Sequence, residues 1–331
     1  MDHNIAIPKL LQMGARPCIV TWICNFLSDR SQCVRYQDCL SPWLNLTGGV
    51  PQGTLTGPAA FVCQVNDAAQ TSEDNKLVLK YVDDLTIVEN TFVNQSSNIQ
   101  GNLNLFDRWA IINKMTLNPK KCMFMDINFC HTQSDHQPLR LSGEELQSTD
   151  CVKILGVKIT KDLKWDVHTT DIIKRATGRL FMLTTLKRFG LSLDDLKTIY
   201  TGFIRPLVEY AVPAWHPGLT EHQHYALERV QKRACKIILG KKYTSYQDAL
   251  VLCQLTDLRS RRDQICLKFA NKLLEHPDFR SWLPNNRKEE TGRCLRNADH
   301  LSLPKVRTQR YSRSPIPFMV QLWNKEASEE K

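Results

Sequence analysis

From Leu77 to Val88 the chain reads LVLKYVDDLTIV, an apolar, strand-prone run with two adjacent aspartates at its centre. Val78, Leu79, Val82, Leu85, Ile87 and Val88 favour a buried strand, whereas Asp83 and Asp84 belong to a residue type seldom buried without a partner. A hairpin reconciles the two demands: strand, a tight turn at the two aspartates, strand again. Upstream, Gly57-Pro58 opens a predicted helix whose apolar content is Ala59, Ala60, Phe61, Val62 and Val65. Downstream, Ile99, Leu103, Phe106 and Ala110 recur at helical spacing and predict a helix over 99–112. Asn118-Pro119 breaks the pattern, and Met123, Met125 and Ile127 alternate as a strand. Two further strands are expected around Ser142-Gly143 and over 152–159.

From Asp166 the period becomes helical. Ile172, Ala176, Leu180 and Leu183 share one face, with Lys174, Arg175, Arg179 and Lys187 on others. Ser192 and Asp195 resemble a capping box and start a second helix running through Tyr200. A third helix, from about Glu221 to Leu239, is apolar at Leu227, Val230, Ala234 and Ile237 and basic at Arg229, Lys232, Arg233 and Lys236. Residues 284–317 carry Pro284, Pro304, Pro315 and Pro317 among Arg287, Lys288, Arg293, Arg296, Lys305, Arg307, Arg310 and Arg313. That composition predicts a loosely ordered basic segment, followed by a short apolar anchor at Phe318, Val320, Leu322 and Trp323.

Charge sharpens this division. The 331 residues carry a net charge of +10, with 44 Lys+Arg against 34 Asp+Glu. Residues 1–150 hold 11 basic and 15 acidic side chains, so the remainder is strongly cationic. A near-neutral first part followed by a basic second part points to a phosphate backbone as partner. The length accommodates two domains. The twelve cysteines are scattered, without a C-x-x-C pair or finger spacing, and Cys130-His131 with His136 falls short of a metal site. His222 and His224 read as surface residues. The sequence contains no secretory leader pattern and no apolar run long enough to span a bilayer, which makes a reducing intracellular compartment the expectation.

Two segments carry candidate chemistry. Adjacent carboxylates at a rigid hairpin tip present hard oxygens that a divalent cation would bridge. Residues 48–67 read GGVPQGTLTGPAAFVCQVND; Gly48, Gly49, Pro51 and Gly53 form a loop that lets a ligand approach the backbone, with Gln52 inside it.

GVPQGT followed some thirty residues later by YVDD resembles the palm of reverse transcriptases, in its LINE-type (non-LTR) retrotransposon form. The resemblance continues in order. Residues 1–36 are similar to the segment leading to the GVPQGT loop. LNPKKC at 117–122 looks like the family's asparagine–lysine segment, and ILGVKIT at 154–160 resembles the hairpin that grips the primer end.

The resemblance implies an α+β fold: a partial polymerase palm (antiparallel sheet with helices) over residues 1–165, an all-α thumb-like and connector region over 166–283, and a basic Pro/Arg-rich tail over 284–331. It implies RNA-directed DNA synthesis by phosphoryl transfer, with an RNA template, a DNA primer and dNTPs as partners, Mg2+ as cofactor and nuclear action. Asp83 then matches the aspartate that binds metal directly and Asp84 its neighbour. Tyr81 packs near the primer end, Gln52 and Gly53 shape the nucleotide pocket, and Lys120 or Lys121 donates a proton to pyrophosphate. The family's other metal-binding aspartate precedes the position of Asp2-His3. The chain is therefore expected to be an N-terminally truncated fragment, inactive alone, with a non-catalytic nucleic-acid-binding remnant as the alternative.

Overall fold

The computed structural model describes residues 2–46, 48–51, 53–69, 76–92, 96–129, 137–292 and 297–329. It divides into two compact units, Met1–Phe124 with Thr132–Thr149, and Met125–His131 with Asp150–Lys331. The fold is α+β, with helices dominating the second unit.

In the first unit, α1 (His3–Gln12), α2 (Pro17–Leu27) and α3 (Thr56–Val65) bury Ala6, Leu10, Val20, Leu27 and Ala60. Asp2 caps α1 by accepting from the Asn4 amide at 2.9 Å. Between α2 and α3 runs a two-stranded arm, with β1 (Ser31–Gln32) paired to β4 (Leu44–Asn45) and β2 (Arg35–Tyr36) to β3 (Cys39–Leu40). The acidic hairpin is β5 (Lys76–Tyr81) antiparallel to β6 (Asp84–Glu89). It precedes α4 (Ile99–Ile112). Short strands follow: β7 (Met123–Phe124), β8 (Arg140–Leu141) paired to β9 (Glu144–Glu145), and β10 (Gln147–Ser148), which runs parallel to β7. Leu139, Leu141 and Leu146 form a small core under the Ile99, Leu103 and Phe106 face of α4.

Among the described residues the strands pair only two by two, so a continuous antiparallel sheet is not formed. The strand expected at Met123–Ile127 is confined to Met123–Phe124.

The second unit opens with the hairpin β11 (Cys151–Ile154) and β12 (Val157–Thr160). Its turn, Leu155-Gly156, places both residues at positive φ, the backbone of a tight two-residue hairpin loop. The Tyr210 hydroxyl donates to the Leu155 carbonyl at 2.7 Å and holds that tip. The helical core follows: α5 (Asp166–Arg188), α6 (Leu193–Ile199), α7 (Val212–Trp215), α8 (Glu221–Leu239), α9 (Tyr246–Cys253), α10 (Leu258–Glu275), α11 (Arg287–Thr291), α12 (Gln309–Ser312) and α13 (Pro315–Glu329). Ile172, Ala176, Leu180 and Leu183 of α5 are all buried, as their spacing predicts, against α8. Truncating one of these leucines to alanine costs about 2–5 kcal/mol.

Near the C-terminal end of α8 Ile238 and Leu239 are buried, and Ile237 lies at the margin of the core. A π-turn at Tyr200–Ile204 and a 3-10 turn at Arg205–Val208 follow α6, because Pro206 offers no amide hydrogen for continuing the helix.

Two polar clusters lie inside this core. The Tyr200 hydroxyl donates to Gln231 Oε1 at 2.7 Å, and Gln231 Nε2 donates to Tyr246 Oη at 3.0 Å and to the Thr256 carbonyl at 2.8 Å. Tyr246 in turn donates to Glu228, whose carboxylate also receives the first amide of α10 from Leu258. The second cluster centres on Arg262, fully buried between His216 and His224. His224 is half-buried rather than freely exposed: its ring meets His216 edge-on with centroids 5.1 Å apart. The C-terminal region also departs from the loose segment expected. Within 284–317, Leu301 is buried in the same core, and Asn324 both donates to and accepts from its backbone at 2.9 Å; the expected anchor is seated there too, with Val320 buried and Phe318, Leu322 and Trp323 packed against the core. The apolar stripe of α13 and these paired backbone groups outweigh the proline and arginine content.

Candidate active site and nucleic-acid interface

The acidic hairpin is built one residue out of register from the expected turn at both aspartates. Tyr81 pairs with Asp84, so Val82-Asp83 is the two-residue loop and Asp84 already belongs to β6. Val82 sits at φ 56°, a left-handed conformation that a β-branched residue adopts only under strain. The six-pair ladder beneath, from Lys76↔Glu89 to Tyr81↔Asp84, over-determines that turn.

Pairing also assigns faces. Leu77, Leu79, Tyr81 and Val88 point to an exposed side and are 45–63 % accessible, so the buried strand expected for Leu79, Val82 and Val88 is not realised. Lys76, Val78, Ile87 and Leu85 lie on the other side. Lys76 Nζ donates to Asn102 Oδ1 of α4 at 2.9 Å, and Lys80 Nζ to the Asn66 carbonyl after α3 at 2.6 Å. Partial burial lowers the Lys80 pKa, and the Asp67 carboxylate opposes that shift.

The glycine loop lies in the same unit. His3 Nε2 is 2.8 Å from the Gly49 carbonyl and ties the loop to α1. Gly49 and Gly53 hold φ values of 91° and 77°, left-handed positions that favour glycine. Thr54 Oγ1 donates to the Pro51 carbonyl at 2.9 Å and receives the Gly57 amide at 3.2 Å. Gln52 lies outside the described residues, as do Cys130, His131 and His136.

Lys120 and Lys121 are exposed on a 3-10 turn, Pro119–Lys121, in this unit. Asp83, Asp84 and Tyr81 share one tip; neither lysine makes a hydrogen bond or ion pair with the two carboxylates among the described residues. Asp2, the other acidic residue of the motif region, is engaged: Lys114 Nζ lies 2.8 Å from its Oδ2 and holds the carboxyl below its ordinary pKa. The exposed oxygens of Asp83 and Asp84 fit a hard divalent cation as donors. Among the described residues, no cluster of three His, Cys, Asp or Glu side chains accompanies them.

The second unit presents a different surface. Arg229, Lys232 and Lys236 succeed one another on α8 at three- and four-residue spacing, in line with Tyr225. The Lys232 ammonium sits 5.5 Å from the Tyr225 ring centroid and 5.0 Å from that of Tyr246, and Lys236 lies 5.2 Å from the Tyr243 ring. These rings hold the ammonium groups in place on an otherwise solvated face. Sequence periodicity located the cations; the flanking Tyr243 and Tyr246, from the turn after α8 and from α9, carried no signal at that spacing.

Residues 1–159 match the family described as reverse transcriptase (RNA-dependent DNA polymerase). In sequence the chain is similar to polymerases of LINE-type, non-LTR retrotransposons. The chain is 23% identical over 328 residues to the RNA-directed DNA polymerase from mobile element jockey of Drosophila melanogaster, covering 95% of this chain and 35% of the relative. The jockey polymerase of Drosophila funebris is 24% identical, covering 79% of this chain and 30% of its own length. The probable RNA-directed DNA polymerase from transposon X-element of Drosophila melanogaster is 25% identical, covering 65% and 24%. The chain thus spans about a third of the length of the curated relatives it matches. Among the described residues no helix is long and apolar enough to cross a membrane.

Proposed function

We propose that the chain is the palm and thumb part of an RNA-directed DNA polymerase of a non-LTR retrotransposon, extending a DNA primer on an RNA template from dNTPs in the nucleus. The observation that carries this reading is the exposed Asp83–Asp84 tip, held by a two-residue loop in the same unit as the GVPQGT loop. In this reading residues 1–165 are palm, 166–283 thumb and connector, and 284–331 a basic C-terminal segment.

Asp83 and Asp84 would hold Mg2+, which when bound polarises the reacting phosphate and neutralises the charge that develops on it. The chain's own residues do the rest. Gln52 and Gly53 offer backbone and amide to the incoming nucleotide, and Tyr81 packs against the primer end. Lys120 or Lys121 carries the proton given to pyrophosphate. The tyrosine-braced cations of α8 follow the phosphate backbone of the duplex.

Primer extension on an RNA template with Mg2+ tests the proposal. Incorporation that Asp83→Asn abolishes supports it, and incorporation unaffected by Asp83→Asn overturns it. The second reading, a nucleic-acid-binding remnant without chemistry, draws on the α8 surface being built wholly within the second unit. It predicts duplex binding, no incorporation, and no effect of Asp83→Asn on affinity.

A further inference from the structure

The two candidate elements of the first unit meet opposite ends of one helix. The glycine loop leads into the N-terminus of α3, and the residues just past its C-terminus, Asn66 and Asp67, receive the hairpin. The Asn66 carbonyl accepts from Lys80, immediately before Tyr81. Asp67 Oδ1 accepts from Lys9 Nζ of α1 at 2.6 Å and from the Trp109 indole of α4 at 3.1 Å.

Lys9 spends its remaining capacity in the same place. It donates to the Gln64 carbonyl at 2.9 Å and lies 5.2 Å from the Trp109 ring centroid. The Lys9 side chain is 15% exposed and that of Asp67 44%, so the pair is partly buried on the lysine side. α1, the end of α3, α4 and β5 thus converge on two consecutive residues.

We infer that Asp67 is a positioning residue: with Lys9, Trp109 and Lys80 it fixes the Tyr81–Asp84 hairpin tip relative to α3 and the glycine loop that begins it. The metal-binding consequence rests on the proposed polymerase reading; the bracing itself does not. Neutralising Asp67 weakens the acceptor shared by α1 and α4 and leaves the largely buried Lys9 without its counter-charge. The hairpin then keeps its ladder but loses its fixed placement.

Terbium(III) is the probe, a hard cation that Asp83 and Asp84 would bind and whose luminescence Tyr81, opposite Asp84, would sensitise. In the full chain, Asp67→Asn is expected to weaken terbium binding about fivefold, with Asp67→Glu recovering most of it. Lys114→Met, which breaks the exposed pair with Asp2, leaves binding unchanged. Asp83→Asn assigns the signal to the hairpin. If Asp83→Asn abolishes the signal but Asp67→Asn leaves it intact, the inference is overturned and the metal reading stands.

If Asp83→Asn has no effect, the metal reading fails, and hydrogen exchange decides the bracing. Asp67→Asn must then raise exchange across 76–89 at least tenfold over Lys114→Met; equal exchange overturns the inference.

Discussion

Arg262 Nε donates to His216 Nδ1 across 3.2 Å, and this contact makes His216 a neutral ring whose Nε2 hydrogen goes to Asp263, 2.8 Å away. The guanidinium is completely buried, and its Nη2 lies 3.5 Å from His224 Nδ1. Protonating either histidine sets a second cation beside a buried one. Desolvation therefore lowers the pKa of both rings, that of His224 to about 4; Arg262 and Arg259 reinforce the shift, against Asp263 for His216 and Glu221 for His224.

The sign of the pH dependence follows from these lowered values. In the unfolded chain both rings titrate near 6.5, so folding is most favoured above that pH. Stability of the helical unit falls as pH drops from about 6.5 towards 4. Thermal unfolding between pH 7.5 and 4 measures this. His224→Gln, which cannot be protonated there, is expected to flatten the curve.

Val82 holds φ 56° at the hairpin loop, where a branched side chain costs about 1–2 kcal/mol. Val82→Gly removes that strain and gives back part of it as unfolded-chain entropy. The expected net is a gain of roughly 0.5–1 kcal/mol in the stability of β5–β6, read by hydrogen exchange of their ladder amides.

Gly57 carries the loop against α3 with no room for a side chain. A β-carbon there would stand 2.9 Å from the Pro51 carbonyl and 3.1 Å from Thr54 Oγ1. Gly57→Ala must push the loop backbone away, at a cost of about 1–3 kcal/mol. Urea unfolding of the first unit reports the loss; Gly178→Ala, inside α5 of the second unit with nothing within 4 Å, is expected by contrast to stabilise its helix by up to about 1 kcal/mol.

Gln231 is fully buried and serves Tyr200, Tyr246 and Thr256 at once. Gln231→Met keeps the volume but strands the Tyr200 hydroxyl in the core. The expected cost is about 2–3 kcal/mol, seen as a lower unfolding midpoint at unchanged helix content.

Lys232→Ala and Lys236→Ala test the α8 surface. Each is expected to lower duplex affinity and to reduce the slope of log affinity against log salt by roughly 1. Equal affinity and slope in both variants would remove α8 from the interface.

Periodicity alone located α4, α5 and α8, but not the similarly long α10. The faces of α5 and α8 repeat every three or four residues, and a helix with an apolar stripe buries that stripe whatever its neighbours are. The acidic hairpin was legible for the same local reason: its strands are adjacent in the chain and Asp83-Asp84 marks their junction. Its exact register was not, because a two-residue loop is selected by ladder pairing, and Val82 in a left-handed turn contradicts local preference.

The buried packing of Leu301 within 284–317 and the inward position of His224 are not legible in composition, which records polarity but not the partners that satisfy it. Asn324 finds the Leu301 backbone 23 residues away, and His224 meets Arg262 across 38. Charge order, the glycine loop and the paired aspartates are properties of neighbouring residues, so the linear chain already specifies them. Lys9 on Asp67, Lys80 on the Asn66 carbonyl and Arg262 between two histidines are meetings of distant segments. They exist only once burial brings those segments together, since desolvation makes each polar group find whichever partner the packed helices leave within reach.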